Sequence, residues 1–127
     1  MTKLLIVEDE PLWQTALSSL IDTRPDLQVV GVVDNAAEAM GLVESQGPDI
    51  MLLDWKIKGP VDGLELANTL TEGVHAQYAP WQVIMITGSP REQLGDIPYG
   101  FVPKPAIAQR LLQAIDEALL QGGAPQS

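Results

Sequence analysis

The stretch "KLLIVEDE", residues 3–10, is the strongest indication of the fold class, because a run of aliphatic residues ends abruptly on three acidic ones. An apolar run this continuous is typical of a central strand in a parallel sheet that helices cover on both faces. Glu8, Asp9 and Glu10 then follow that strand directly. Like charges packed together cost free energy unless a cation or hydrogen-bond donors offset them. The cluster therefore predicts a positively charged partner.

The composition is that of one globular domain. The chain has 127 residues, of which 46% are hydrophobic, enough for a real core. Its net charge of -10 argues against nucleic acid or an anionic membrane as a partner, since both bind a basic surface. The sequence lacks cysteine, which excludes disulfides and thiolate chemistry. Its first residues reach acid too soon for a signal peptide or a membrane span, so we expect a cytoplasmic protein.

Short apolar runs alternate with segments of helical periodicity, which indicates an α/β fold with a parallel sheet. We predict strands at residues 3–7, 28–33, 50–53, 82–86 and 99–102, each followed by a helical segment. The predicted fold is (βα)5 and doubly wound, with one five-stranded parallel sheet. Residues 1–121 form the domain, and residues 122–127 are expected to be a flexible tail.

Local signals place the helix ends. Pro11 suits the first turn of a helix that carries Leu12, Ala16 and Leu20 on one face. Asn35 is expected to cap the second helix, which a Gly-Pro pair at residues 47–48 ends. The third helix begins after an aspartate at residue 62, and the last carries apolar residues at four-residue spacing from residue 107.

Polar residues follow four of the predicted strands. Glu8 and Asp9 follow the first strand, Asp54 the third, Thr87 the fourth and Lys104 the fifth. In open α/β sheets ligands bind outside the carboxyl ends of the strands, so these side chains should converge. Oxygen ligands suit Mg²⁺, and a hydroxyl with an ammonium group can hold the oxygens of a phosphoryl group. Asp54 is then a nucleophile that forms an acyl phosphate.

These residues carry a resemblance to a known family. The chain resembles a receiver domain of the two-component response regulators, of the stand-alone type typified by the chemotaxis regulator. The resemblance covers essentially the whole chain through five motifs in order: "VEDE", "LLDW", "DGLELA", "MITG" and "FVPKP". It implies the flavodoxin-like receiver fold. It also implies phosphoryl transfer from a sensor histidine kinase or a histidine phosphotransfer protein.

The resemblance implies a metal set around the acceptor. Asp9 and Asp54 would bind Mg²⁺ directly, the main-chain carbonyl of Lys56 would be a third ligand, and Glu8 would act mostly through water. The family most often has aspartate at the position of Glu8, and we expect little loss from this change.

The resemblance also implies roles around the phosphoryl group. Asp54 is the phosphoacceptor, Thr87 hydrogen-bonds a phosphoryl oxygen, and Lys104 pairs with it. Thr87 and Phe101 form the switch, in which the aromatic ring turns inward on activation. The peptide bond between Lys104 and Pro105 is expected to be cis, a state that costs little before proline.

Two segments depart from the family pattern. The loop after Asp54 is one residue longer than usual and lacks the customary Met-Pro, which places Lys56 and Lys58 near the acceptor. We hypothesise that these lysines steer an anionic phosphodonor or alter hydrolysis of the phosphate. Between strands four and five, two prolines and a glycine predict a shortened fourth helix and hence an unusual output surface.

The function expected is signalling and not enzymatic turnover. Phosphorylation would act through contact with an unknown downstream protein or through a phosphorelay, in a monomer or weak homodimer. The alternative is a pseudo-receiver, an interaction module that phosphorylation does not regulate. An aspartyl-phosphate phosphatase is a weaker rival, because the acidic pair two residues apart that it needs is offered only by Glu8 and Glu10.

Glu10 itself is interpreted as a solvated helix start. The tryptophans at 13, 55 and 81 are given no role, although Trp55, which is next to Asp54, should report on the site.

Overall fold

The computed structural model describes residues 1–71, 82–89, 91–95 and 99–121. The strands are β1 (Thr2–Val7), β2 (Leu27–Val33), β3 (Ile50–Leu53), β4 (Gln82–Thr87) and β5 (Gly100–Pro103). The α-helices are α1 (Pro11–Ile21), α2 (Ala36–Gln46), α3 (Gly63–Thr71) and α4 (Ile107–Gln121). The tail predicted at residues 122–127 lies outside the described residues. Each predicted strand is confirmed to within one residue at either end.

The strands form one parallel sheet in the order β2-β1-β3-β4-β5. This is the flavodoxin-like order, in which the chain reverses direction next to β1. One buried cluster lies under α1 and α4, and the other lies under α2 and α3. The doubly wound (βα)5 fold is confirmed. Among the described helices none has the length and apolarity needed to cross a membrane.

The continuous apolar run of β1 is explained by these two cores. Leu4 and Ile6 point into the cluster under α1 and α4, whereas Leu5 and Val7 point into the cluster under α2 and α3. Successive side chains of a strand face opposite sides of a sheet, so a strand covered on both sides needs apolar residues at every position.

The predicted helix caps are present. Asn35 Oδ1 accepts a hydrogen bond from the backbone N–H of Glu38 at 2.9 Å, and Gly47 ends α2 in the left-handed region at φ 57°. Asp62 Oδ1 accepts from the N–H of Glu65 at 2.9 Å at the start of α3. Both caps satisfy backbone donors that the first helical turn leaves unpaired.

The apolar face predicted for α1 is only partly the face that packs. Leu12 is 76% exposed, whereas Leu20 packs with Trp13 against the cluster that buries Leu17 and Ile21. Two apolar series run along this helix at four-residue spacing. The series that contains the tryptophan offers more apolar area to the sheet, so it takes the buried face.

The segment between β4 and β5 is short in regular structure. Its described part contains one 3-10 turn, Arg91–Leu94, which agrees with the prediction of a shortened helix between these two strands.

The peptide bond between Lys104 and Pro105 is trans, so the expected cis bond is wrong. The two residues open a 3-10 turn at Lys104–Ala106 that leads directly into α4, and trans is the more stable isomer even before proline.

Candidate functional site

Strand register brings the predicted site residues to one edge of the sheet. Val7 of β1 pairs with Leu53 of β3, so the next residues, Glu8 and Asp54, begin side by side. The N–H of Asp54 donates to the carbonyl of Val7 at 2.9 Å and continues the ladder by one step. On the other side of β3, Thr87 at the end of β4 pairs with Pro103 at the end of β5. Lys104 is the next residue after β5, so it reaches the same edge of the sheet.

Lys104 lies at the centre of the site. Its Nζ is 2.8 Å from Oε1 of Glu8, 3.1 Å from Oδ2 of Asp54 and 3.1 Å from Oε1 of Glu10. The contacts with Asp54 and Glu10 are hydrogen bonds. The Lys104 side chain is only 7% exposed, and those of Glu8 and Asp54 are buried as well, so water does little to screen these charges.

The four carboxylates at this edge fit a hard dication. One oxygen from each of Glu8, Asp9, Glu10 and Asp54 lies within 4.8 Å of the others. Oε1 of Glu8 is buried and lies 2.8 Å from the Lys104 ammonium, which is its charged partner. A set of ligands made only of carboxylate oxygens is the chemistry that Mg²⁺ prefers.

Burial and charge shift two pKa values in this cluster. Burial is the largest cause that raises the pKa of Glu8, to about 7, and the negative charge of Asp54 adds to it. The Lys104 ammonium and the N–H of Glu10 act in the opposite direction. Burial lowers the pKa of Lys104, but its contacts with Glu8 and Asp54 outweigh burial, so its pKa lies above the ordinary value. Lys104 is therefore a permanent cation at neutral pH.

An open cleft of about 570 Å³ lies over the Asp54 carboxylate, and Asp9, Lys56, Thr87 and Lys104 are among its other lining residues. Thr87 itself is buried at the end of β4, and its Oγ1 accepts a hydrogen bond from the N–H of Ser89 at 3.2 Å. The hydroxyl proton of Thr87 is still available to donate to a group in the cleft.

The two lysines of the loop after β3 have different surroundings. Lys56 lines the cleft, and its Nζ lies 5.9 Å from the ring centroid of Trp55. Lys58 instead pairs with Asp34 at 3.1 Å, and its N–H donates to the Asp34 carbonyl at 3.0 Å. Of the two lysines expected near Asp54, Lys56 lines the cleft, whereas Asp34 holds Lys58 against the β2–α2 loop.

Phe101 lies on β5 opposite Met85. Its side chain is half-buried and packs against the cluster under α2 and α3. Phe101 precedes Lys104 by three residues in the sequence. It therefore contributes to the core, and its predicted switch role stays a prediction.

Two residues of the site were not expected from the sequence. The sequence predicts a solvated helix start at Glu10, yet its carboxylate contacts Lys104 and belongs to the acidic cluster. The sequence indicates no special role for Trp13, yet Lys104 Nζ lies 5.4 Å from its ring centroid. Both contacts join α1 to a lysine more than 90 residues away in sequence, and no local signal reports a contact of that kind.

Comparison with protein families and curated sequences gives a consistent result. A family model described as the response regulator receiver domain matches residues 4–116. The chain is 38% identical over 69 residues to the nitrate/nitrite response regulator protein NarL of Escherichia coli K12, which covers 54% of this chain and 32% of that protein. It is 28% identical over 123 residues to a protein-glutamate methylesterase/protein-glutamine glutaminase of Thiobacillus denitrificans, covering 90% of this chain and 33% of that protein. The chain thus spans about a third of the length of these relatives.

Solved structures give the same fold. The signal receiver domain of a modulated diguanylate cyclase from Desulfovibrio desulfuricans G20 superposes with a TM-score of 0.79 at 28% identity, covering 99% of both chains. The response regulator domain of Thermotoga maritima CheB superposes with a TM-score of 0.76, covering 94% of this chain and 97% of that one. At 23% identity the second match shows the fold alone.

Proposed function

The chain belongs to the family of response regulator receiver domains, and we propose that it accepts a phosphoryl group on Asp54 in a Mg²⁺-dependent reaction. The observation that carries this proposal is the surroundings of Asp54. Its carboxylate is buried at the carboxyl edge of the sheet, contacts the Lys104 ammonium at 3.1 Å and faces an open cleft.

Asp54 supplies the nucleophile. One oxygen of its carboxylate attacks phosphorus, the bond from phosphorus to the donor breaks, and a phosphohistidine donor leaves as imidazole, which takes up a proton. Oδ2 of Asp54 is held by Lys104. The contact fixes the side chain and leaves the other oxygen for attack.

Lys104 and Thr87 would hold the transferred group. The ammonium can move its hydrogen bond from Asp54 to a phosphoryl oxygen, and the Thr87 hydroxyl can donate to another. Glu8, Asp9 and Asp54, with the main-chain carbonyl of Lys56, would hold the metal, which supplies positive charge to the phosphoryl oxygens. Glu10 extends this set beyond the family pattern, because its carboxylate belongs to the same cluster.

The phosphorylated domain would signal through other proteins. Receiver domains interact with histidine kinases or histidine phosphotransfer proteins, and we infer that one of these is the donor here. The downstream partner is inferred to be a protein that recognises a rearrangement at Thr87 and Phe101, because the net charge of -10 disfavours nucleic acid. We infer that the domain turns over no substrate apart from its own phosphate. Assembly as a monomer or weak homodimer stays a prediction.

Phosphate incorporation from acetyl phosphate tests the proposal. Wild-type protein and the variants Asp54→Asn and Asp22→Asn are incubated with and without Mg²⁺, and intact mass is measured. Asp22 is exposed at the end of α1, so its variant makes the same chemical change away from the site. We expect one phosphate on the wild type and on Asp22→Asn, only with Mg²⁺, and none on Asp54→Asn.

The other outcomes separate the alternatives. Phosphate on Asp54→Asn would refute Asp54 as acceptor. No phosphate on any folded protein from either acetyl phosphate or a phosphorylated histidine phosphotransfer protein would favour the pseudo-receiver. Continuous release of phosphate from a phosphate ester would favour the phosphatase.

A further inference from the structure

Trp13 takes no part in the chemistry proposed above, yet its ring lies against the central cation of the site. The 5.4 Å between Lys104 Nζ and the ring centroid is within the range of a cation–π contact. We propose that Trp13 is a positioning residue that holds the Lys104 ammonium at the acceptor cleft while the carboxylates around it exchange partners. This inference rests on the proposed function of Asp54 and adds a residue that sets its rate.

The position of the Trp13 ring is fixed by α1. The first turn of the helix starts at Pro11, whose ring fixes its backbone φ. Gln14 ties this turn to the end of β1, because its N–H donates to the carbonyl of Glu10 at 3.0 Å and its side-chain amide donates to the carbonyl of Glu8 at 2.7 Å. The ring also packs against the buried cluster under α1 and α4. The Trp13 ring is therefore held in a fixed position, and the flexible Lys104 side chain packs against it.

The ring is a partner of Lys104 that the reaction leaves in place. When a phosphoryl group and a dication reach Asp54, the carboxylates of Glu8 and Asp54 take new partners and weaken their hold on Nζ. An indole ring binds no hard dication and carries no charge to neutralise. It also accepts no conventional hydrogen bond through its face, so all three donors of the ammonium stay available for oxygens in the cleft.

The ring also separates two cavities. Trp13, Lys104 and Pro105 line the acceptor cleft, and they line a second, largely apolar cavity of about 440 Å³ between α1 and the start of α4. Without the ring, the lysine side chain gains space on the side of the second cavity. Because Lys104 must meet the phosphoryl group at a defined place, this freedom lowers the fraction of molecules in the reactive arrangement.

Fluorinated tryptophan gives a test that leaves packing almost unchanged. Wild-type protein is produced with tryptophan, 5-fluorotryptophan, difluorotryptophan or trifluorotryptophan, since each fluorine weakens the negative face of the ring. The rate of phosphorylation by acetyl phosphate is measured at saturating Mg²⁺. We expect the rate to fall stepwise with fluorine number, by about fivefold in total, the size of one partly desolvated cation–π contact.

Trp13→Phe carried through the same fluorotryptophan series is the matched control, because only the other two tryptophans are then fluorinated. We expect no slope with fluorine number in this control. Trp13→Leu, which keeps apolar bulk but removes the ring, should slow phosphorylation by about 3- to 10-fold. Urea midpoints of all samples establish that the fold is retained.

The result separates this inference from the function on which it rests. A wild-type protein that is phosphorylated at a rate independent of fluorine number, or with the same slope in the Trp13→Phe control, overturns the role of Trp13 alone. A folded wild type that takes up no phosphate refutes the proposed function, and the inference falls with it. A slope confined to the protein that contains Trp13 supports both.

Discussion

Replacing Lys104 with methionine removes the ammonium group that contacts Glu8, Glu10 and Asp54. Methionine is apolar and of similar length, so the change mainly deletes a charge. In the absence of Mg²⁺ we expect the free energy of unfolding to fall by about 3 kcal/mol, at the lower end of the roughly 3–5 kcal/mol typical for one partner of a buried ion pair.

The magnitude follows from the exposure of the partners. Glu8 is 1% exposed and Asp54 5%, so neither carboxylate regains much hydration when the lysine is lost. Glu10 is 59% exposed and can turn to water, so it adds little to the cost. Glu8 has a pKa of about 7 even with the lysine present, so protonation can neutralise it in the variant. The uncompensated charge is then chiefly that of Asp54, which places the estimate at the lower end.

Urea denaturation with and without Mg²⁺ measures the effect. Lys58→Met is the matched control, because it makes the same substitution in an ion pair whose lysine is 64% exposed. Such a surface pair contributes about 0–1 kcal/mol, so we expect the control to stay within that range of the wild type. The difference between the two variants isolates the consequence of burial.

Mg²⁺ should stabilise Lys104→Met more than it stabilises the wild type. A ligand that binds only the folded state at one hundred times its dissociation constant adds about 2.7 kcal/mol. In the variant the carboxylates have no internal cation, so a dication binds them without competing with an ammonium group. If Lys104→Met matches Lys58→Met in stability, or if Mg²⁺ stabilises it no more than the wild type, the assignment of Lys104 as the counter-charge of this site is refuted.

Three further predictions concern the scaffold. Gly63→Ala should lower the free energy of unfolding by about 1–3 kcal/mol and slow phosphorylation, because a Cβ at Gly63 would lie 1.9 Å from the carbonyl oxygen of Asp54. If the variant keeps the urea midpoint and the phosphorylation rate of the wild type, this close approach is contradicted. Asn35→Ala should lower the free energy of unfolding by about 1 kcal/mol through loss of the α2 cap, and Asn35→Ser, which keeps an uncharged acceptor oxygen, should recover most of that loss in the same denaturation assay. The hydrogen bond from Arg24 is the largest cause that lowers the pKa of Asp26, so Arg24→Ala should return that pKa to its ordinary range in a carboxyl NMR titration. A lowered carboxyl pKa stabilises the fold above the ordinary value and loses its effect as pH falls through the lowered one, so the stabilities of wild type and variant should converge in acid.

The fold could be predicted because its signals are local. Continuous apolar runs identify strands covered on both faces, and Asn35 and Gly47 mark helix ends through their own backbone preferences. The packing face of α1 could not be chosen in this way, because Leu12 and Trp13 each begin an apolar series with the same spacing. The choice depends on how much area each series offers to a sheet formed by residues far away in sequence.

The site could be predicted in part for a similar reason. Parallel strands bring their carboxyl ends to one edge, so Glu8, Asp54 and Lys104 could be placed together without coordinates. Glu10 was missed, because its local context is that of an ordinary helix start and its contact with Lys104 spans 94 residues. The isomer at Pro105 was wrong, because the two states of such a bond differ by only about 0.5–1 kcal/mol and the surrounding turn decides between them.

Charge balance at the acceptor edge indicates how a phosphate could act beyond the site. Three of the four clustered carboxylates, those of Glu8, Glu10 and Asp54, share the Lys104 ammonium group among the described contacts, so any group that reaches Asp54 changes the partners of Lys104. Thr87 can meet such a group without losing the hydrogen bond that its oxygen accepts from Ser89, because its hydroxyl proton is a separate donor. Lys104 must give up an existing contact, and it follows β5 directly, three residues after Phe101. We therefore expect the rearrangement of Lys104, more than that of Thr87, to carry the signal into β5.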